Sequence, residues 1–229
     1  MSHYSIAIDG PAGAGKSTLA RSLATRLGFL YVDTGAIYRT VGLYVSRQGA
    51  DCSDAEQVVA RLPQIELSLT YGADGQQRML LGEEDVTEAI RANEVSRYAS
   101  QVSAHPAVRS FLLEMQRTLA CQNNVVMDGR DIGTVVLPQA NVKIFLTASV
   151  EQRALRRFRE LEAKGETVSL AVLQEEIARR DHDDSHRAAA PLRQAPDAVL
   201  LDTSQLDLEE SLEALLTIVR KRGCPCDTL

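Results

Sequence analysis

A glycine-rich loop between an apolar run and an amphipathic segment constrains this chain more than any other feature. Residues 10–18 read GPAGAGKST and follow the apolar run 4–9. The spacing matches G-x-x-x-x-G-K-[ST], a loop whose backbone N–H groups surround phosphate oxygens at the start of a helix. Leu19, Leu23 and Leu27 recur every four residues and indicate that helix. The pattern predicts a site for a nucleoside triphosphate.

The polar residues at the end of the loop have defined roles in such a site. Lys16 reaches the β and γ phosphates, and Ser17 is a ligand for Mg²⁺. Asp128 ends a second apolar run, so it is expected at the same sheet edge, holding a magnesium-bound water or orienting the lysine. The expected ATP-binding residues of the loop are Gly10, Pro11, Ala12, Gly13, Ala14, Gly15, Lys16, Ser17 and Thr18.

The alternation of apolar runs and helical patterns predicts an α/β fold, with a five-stranded parallel sheet flanked by helices. The strand-like runs are 4–9, 29–33, 125–128, 142–147 and 198–202. Residues 65–71 instead alternate apolar and polar and are followed by a turn, which predicts an antiparallel hairpin. We therefore expect a core of residues 1–62 and 104–229, an inserted subdomain at 63–103, and a short lid within about 153–190. The charged stretch 179–187 is expected to be mobile until ligand orders it.

Capping residues place the ends of several helices. Thr34 and Ser53 are expected to be N-caps, the second with Glu56 three residues later, and Asp207 with Glu210 forms a second capping box. The helix opened by Pro106 is expected to bury Val108, Phe111, Leu112, Met115 and Leu119.

The composition is that of an ordinary globular protein, and the net charge of −6 gives no reason to expect nucleic acid or an anionic membrane as partner. No apolar run approaches the ~20 residues of a membrane span, and the strand-like N-terminus leaves no room for a signal peptide. We expect a cytoplasmic protein. The cysteines lack metal-binding or CxxC spacing and are expected to stay reduced. They are Cys52, Cys121, Cys224 and Cys226.

Arginines accumulate near the expected carboxyl ends of the strands despite the negative net charge, which indicates a cleft filled with anions. A phosphate acceptor would require such neutralisation, and its oxygen is already a nucleophile, so no general base is needed. The arginines are Arg39, Arg109, Arg153, Arg156, Arg157, Arg179, Arg180 and Arg187.

Seven stretches, taken together, are far more specific than the loop alone. They are 8–18, 33–39, 82–91, 100–109, 128–136, 142–149 and 179–192. With this set the chain resembles the bacterial-type cytidylate kinases of the nucleoside monophosphate kinase family. The resemblance implies phosphoryl transfer from ATP to CMP or dCMP with Mg²⁺, on a P-loop kinase fold with an enlarged insert and a short lid.

The resemblance also implies site residues. Lys16, Arg130 and Arg187 would be catalytic. Thr34, where the family more often has serine, would hold the acceptor phosphate with Arg39, Arg130 and Arg187. Ser100, Arg109 and Asp131 would read the cytosine, and Arg180 and Asp184 would hold the sugar. Arg153, Arg156 and Arg157 would meet ATP, in shares that the sequence does not separate.

Two other classes of function are weighed against this one. A kinase for UMP or AMP is the alternative within enzymes, and an aspartate facing the N4 amino group of cytosine argues against UMP. A non-catalytic nucleotide-binding module is the alternative outside enzymes. The chain lacks both the N-K-x-D motif of guanine-nucleotide switches and the L-S-G-G-Q motif of transporter ATPases. The expected partners are small-molecule nucleotides bound by a monomer.

Overall fold

The computed structural model describes residues 3–163 and 165–224. Cys226 therefore lies outside the described residues, whereas Cys224 is buried. The chain divides into two compact units. The first contains the residues up to Leu30 and those from Gln122 onward, and the second is Tyr31–Cys121.

The secondary structure alternates as the sequence predicts. The strands are β1 (Ser5–Asp9), β2 (Leu30–Asp33), β3 (Leu67–Tyr71), β4 (Gln77–Leu81), β5 (Glu84–Asp85), β6 (Val125–Gly129), β7 (Val142–Thr147) and β8 (Val199–Asp202). The helices are α1 (Lys16–Leu27), α2 (Thr34–Arg47), α3 (Ala55–Val59), α4 (Asn93–Ser103), α5 (Pro106–Gln122), α6 (Val150–Ala163), α7 (Leu170–His186) and α8 (Leu208–Lys221). A five-stranded sheet in the order β2-β6-β1-β7-β8 confirms the predicted parallel sheet flanked by helices.

The first unit is built on two strands that flank β1. The register places Ile8 beside Asp128 on β6 and beside Ile144 on β7. All five residues of β6 are buried, as expected for a central parallel strand covered on both faces. The carboxyl ends of β1 and β6 therefore lie side by side, and the loops that follow them start from one edge of the sheet.

Gly10 is required by the close approach of β1 to β7. Its φ of 153° is one that other residues rarely adopt, and a Cβ placed there would lie 1.9 Å from the carbonyl oxygen of Leu146. The phosphate loop thus begins at a point where only a glycine fits.

Asp9, the last residue of β1, fixes the segment that follows β6. Its Oδ1 accepts a hydrogen bond from the N–H of Ile132 and its Oδ2 accepts one from the N–H of Gly133, both at 2.7 Å. Burial raises the pKa of Asp9 to about 6, although these two hydrogen bonds favour the charged carboxylate, and nearby Asp131 raises it further. One buried carboxylate therefore joins the start of the phosphate loop to the residues after Arg130.

The antiparallel sheet of the second unit extends the predicted hairpin by one strand. Strands β3 and β4 pair in the register that sets Leu69 opposite Met79 and Tyr71 opposite Gln77. The two-residue strand β5 pairs with β4 and is too short to give a sequence pattern. Helix α4 follows this sheet along the chain.

Helices α2 and α4 of the second unit touch at Gly42. A Cβ at this position would lie 2.8 Å from the Cβ of Tyr98, 2.9 Å from its carbonyl carbon and 3.0 Å from the N of Ala99. Two of these three atoms are backbone, so they cannot move aside as a flexible side chain can. The glycine lets the two helix backbones come into contact.

Three of the predicted caps have different outcomes. Asp33, not Thr34, caps α2, because its carboxylate accepts from the N–H of Ala36. The prediction for Ser53 is also wrong, because its hydroxyl donates to Asp51 and the Asp54 carboxylate accepts from the first turn of α3. The box between Asp207 and Glu210 is confirmed.

The face of one helix and the extent of another also differ from prediction. In α5 the buried positions repeat every four residues and include Gln116, while Phe111 is exposed, so the prediction for Phe111 is wrong. In α7 the helix continues to His186 through most of the charged stretch 179–187. Leu173 and Ile177 are buried against α6.

We expect Gly42→Ala to destabilise the protein. Alanine improves helix propensity by about 1 kcal/mol, but forcing two backbones apart costs roughly 1–3 kcal/mol or more, so the free energy of unfolding should fall. Urea denaturation measures this, with Ser46→Ala in the same helix as the control. A Gly42→Ala variant more stable than the natural protein would contradict the packing argument.

We also expect Asp9 to make stability depend on pH. Because its folded pKa of about 6 lies above the ordinary value of 3.8, the stability it contributes is present below pH 4 and is lost as pH rises to 6. The shift corresponds to about 3 kcal/mol. Asp9→Asn cannot titrate, so denaturation between pH 4 and 7 should show a smaller fall for the variant. Parallel profiles would exclude Asp9 as the titrating group.

Candidate active site

Three carbonyl groups of the phosphate loop each accept a hydrogen bond from a cationic side chain. Lys16 Nζ donates to Pro11 at 2.7 Å, Arg153 donates to Ala12 at 3.0 Å, and Arg156 donates to Ala14 at 3.3 Å. Within a trans peptide the N–H points opposite to the C=O, and no peptide bond among the described residues is cis. The N–H groups of Ala12, Gly13 and Gly15 therefore point away from these cations.

This arrangement gives the loop two faces. One face consists of carbonyl groups that are already paired with protein cations. The other presents N–H groups, and helix α1 begins directly after it at Lys16, adding the positive end of its dipole. Gly13 and Gly15 have φ of 73° and 87°, which turns successive peptides into this concave form. The loop is thus organised to bind an anion.

Lys16 is buried in a region of positive potential. Burial lowers the pKa of its ammonium group well below the ordinary value, and the nearby charges of Arg130 and Arg180 lower it further, while Asp128 and Asp184 act in the opposite direction. An anion bound beside Lys16 would offset this repulsion, so the local charge favours a phosphate ligand.

Ser17 and Asp128 meet at the carboxyl edge of the sheet. The Ser17 hydroxyl donates to Asp128 Oδ2 at 2.9 Å, and the Asp128 side chain is buried at the end of β6. Hydroxyl and carboxylate oxygens are the donors that Mg²⁺ prefers. The pair therefore suits a magnesium ion that takes its remaining ligands from phosphates and water.

Two arginines form a network with two buried aspartates. Arg130 Nε donates to Asp184 Oδ2 at 2.8 Å, and Arg187 lies 3.6 Å from Asp131 Oδ1 and 3.9 Å from Asp184 Oδ1. Burial alone would raise the pKa of Asp184, but its attraction to Arg130, together with Arg180 and Arg187, lowers it. The predicted residues Arg130, Asp131, Arg180, Asp184 and Arg187 are thus brought together in the first unit.

The three α6 arginines that were predicted to meet ATP have distinct environments. Arg153 is buried, contacts the phosphate loop and forms a two-point ion pair with Asp181 of α7. Arg156 donates to the carbonyl group of Thr203 at 2.7 Å as well as to the loop. Arg157 pairs with Glu160 on the same helix in a more exposed setting.

The second unit contains the remaining predicted residues. Arg39 donates to Asp33 Oδ2 at 2.9 Å, and its buried Nε has no hydrogen-bond partner among the residues that the structure describes. Thr34 is buried at the first turn of the same helix. A buried donor without a partner is costly, so Arg39 is suited to an anionic ligand.

Ser100 and Arg109 lie on α4 and α5 of this unit. The guanidinium of Arg109 stacks over the ring of Tyr38, with its central carbon 5.5 Å from the ring centroid, and donates to the carbonyl group of Ser103. The ring holds the charged group in place through a cation–π contact.

Sequence reasoning missed three supporting acids and one backbone carbonyl group. Asp33 and Asp181 orient the predicted arginines Arg39 and Arg153, and Thr203 accepts from Arg156. These partners lie on other turns or other elements, so their spacing gave no signal. Asp9 was detectable as the acid that ends a buried strand next to the loop.

Over residues 3–163 and 165–224, no group of three or more His, Cys, Asp or Glu side chains could hold a metal ion. In the same part of the chain, no helix has the length and apolarity needed to cross a membrane.

Comparison with known proteins gives a consistent result. The cytidylate kinase family model matches residues 6–221. A cytidylate kinase of Carboxydothermus hydrogenoformans is 50% identical over 95% of this chain and 98% of its own, and one of Streptococcus pneumoniae is 47% identical over 97% and 100%. An uncharacterized protein of Eubacterium ventriosum has a similar fold, with a TM-score of 0.52 at 10% identity over 95% of this chain and 99% of its own. The chain belongs to the cytidylate kinase family.

Proposed function

We propose that this protein transfers the γ-phosphoryl group of ATP to CMP or dCMP, giving ADP and CDP or dCDP. The observation that carries the proposal is the position of Lys16. It belongs to the loop that suits a triphosphate, and it lies close enough to Arg130 and Arg180 for their charges to lower its pKa. Cations from the loop, from the segment after β6 and from α7 therefore act on one small region, as transfer between two phosphates requires.

The loop supplies the donor side of this reaction. The N–H groups of residues 12, 13 and 15 bind the β and γ phosphates of ATP, and the Lys16 ammonium joins them by exchanging the Pro11 carbonyl oxygen for a phosphate oxygen. Arg153 and Arg156 hold the loop carbonyls from behind, so we assign them chiefly to keeping the loop in shape. Of the three predicted α6 arginines, the more exposed Arg157 is the one assigned to the nucleotide itself.

Magnesium fits beside the loop. Ser17 and Asp128 would hold the ion, directly or through water, and the bound ion would neutralise the β and γ phosphate oxygens. Because the described residues offer no metal cage of three side chains, the ion is expected to bind with the nucleotide and not before it.

Arginines are assigned both to binding the acceptor phosphate and to stabilising the transferred group. As the family resemblance implies, we assign the acceptor phosphate to Thr34, Arg39, Arg130 and Arg187. The transferred group spreads negative charge over its equatorial oxygens, and fixed guanidinium groups stabilise that charge without rearranging during the reaction. The acceptor oxygen is already anionic, so no side chain has to remove a proton.

The predicted residues that remain are assigned to the cytosine base and to the sugar. Asp131 is buried beside Arg187 and can accept from the N4 amino group of cytosine, where uracil presents an oxygen. Ser100 and the stacked Arg109 are assigned to the same base, and Arg180 and Asp184 to the sugar. That the protein is cytoplasmic, that it is a monomer and that its partners are small-molecule nucleotides all stay predictions.

Lys16→Ala should reduce turnover roughly 100-fold or more, because a fixed charge facing the transferred group is lost. A coupled assay of ADP release measures this, and in the natural protein ATP consumption should depend strictly on added CMP. Lys221→Ala, at an exposed position on α8, removes a lysine without touching the site and is the control. Near-normal turnover by Lys16→Ala would overturn the assignment of the loop.

Asp131→Asn should damage the choice of base more than the use of ATP. The amide can present a donor to uracil, whereas the carboxylate cannot, so the ratio of kcat/KM for CMP to that for UMP should fall about 10-fold or more. Initial rates with CMP, dCMP, UMP and AMP give this ratio. Asp183→Asn, exposed on α7, is the matched control. An unchanged ratio with a raised KM for ATP would show that Asp131 does not read the base.

A further inference from the structure

The inserted hairpin grips the end of β2 with two side chains that face each other across β3 and β4. The Tyr71 hydroxyl donates to the carbonyl group of Tyr31 at 2.9 Å. The Gln77 amide bonds to both backbone groups of Asp33: Oε1 accepts from its N–H at 2.8 Å, and Nε2 donates to its C=O at 3.2 Å. All four residues belong to the second unit. We call Tyr71 and Gln77 the hairpin clamp.

Only glutamine provides the pairing seen at Asp33. The backbone N–H needs an acceptor and the C=O needs a donor, and one side-chain amide supplies both in a fixed plane. The second hydrogen of Nε2 is directed to Met79 Sδ at 3.2 Å, so the orientation of the amide is determined on each side. Glutamate lacks the donor, and methionine has the length but neither polar group.

Asp33 is the point from which the start of α2 is organised. Its Oδ1 accepts from the N–H of Ala36 and its Oδ2 accepts from Arg39, each at 2.9 Å. The clamp thus fixes the Asp33 backbone, and the Asp33 side chain in turn fixes the first turn of α2 and the guanidinium of Arg39. Arg39 Nε stays available as a donor, because it is buried and has no partner among the described residues.

We infer that Gln77 and Tyr71 are positioning residues for the phosphate of the acceptor nucleotide, acting through Asp33 on Arg39 and Thr34. This inference rests on the proposed function, which assigns Arg39 and Thr34 to that phosphate. The inserted sheet then does more than enlarge the monophosphate site, because it fixes the backbone from which the phosphate-binding turn starts.

A purely structural role makes a different prediction. β2 is the first strand in the sheet order, so the clamp could serve only to satisfy the backbone groups at its outer edge. In that case its loss would lower stability and weaken every ligand of the second unit alike. If the clamp has a positioning role, its loss weakens binding of the phosphate and leaves binding of the nucleoside unchanged.

The test compares CMP with cytidine, which lacks the phosphate. Gln77→Met should weaken CMP binding about 5- to 20-fold, while the dissociation constant of cytidine and the KM for ATP change less than about twofold. Tyr71→Phe, which removes one hydroxyl and keeps the ring, should show the same pattern at about 2- to 5-fold. Titration calorimetry and initial rates give these values. Gln76→Met, the same substitution at the exposed neighbouring residue, is the control.

Each outcome has a defined meaning. Equal loss for CMP and cytidine, or no loss with either clamp variant, overturns the inference. Arg39→Gln separates this from failure of the proposed function. If Arg39→Gln leaves CMP binding intact, the assignment of the acceptor phosphate is wrong; if it weakens CMP binding and the clamp variants do not, only the clamp inference fails.

Discussion

The first unit depends on the two hydrogen bonds that the Asp9 carboxylate accepts from the N–H groups of Ile132 and Gly133. Asp9 lies one residue before the phosphate loop, and the amides lie just after Arg130 and Asp131. The same carboxylate therefore sets where the loop starts and where the arginine that we assign to the acceptor phosphate emerges. Burying it raises its pKa, so this positioning is obtained at some expense of stability.

Around this contact the protein keeps like charges close together. Lys16, Arg130, Arg180 and Arg187 would repel one another in a buried region, and Asp131 and Asp184 offset part of that repulsion. In this group four cations face two carboxylates, so the balance is incomplete; the lowered pKa of Lys16 comes chiefly from burial and then from Arg130. Two bound phosphates would complete it. The energy of phosphate binding can then be used to hold donor and acceptor in line, which is most of what phosphoryl transfer needs from a protein.

The sequence predicted the elements better than their ends. The alternation of apolar runs and helical patterns along the chain identified the parallel sheet, and a specific motif identified the loop. The N-caps at Asp33 and Asp54 were missed, because adjacent hydroxyl and carboxylate residues compete for one position and only the backbone geometry decides. The face of α5 was misjudged at Phe111, since a large apolar residue can be left exposed while Gln116 is buried. Of the site residues, those in contiguous motifs were found, whereas partners such as Asp181 and Thr203 came together only through folding.

The antiparallel register of the inserted hairpin has a consequence for folding. Side chains alternate between the two faces of a sheet, so a slip of one residue between β3 and β4 would turn one member of the pair Tyr71 and Gln77 to the opposite face. A register shifted by one residue therefore cannot keep both contacts to β2. The chain thus carries an internal check on its own strand alignment, in which a misaligned hairpin and a poorly formed phosphate-binding turn occur together.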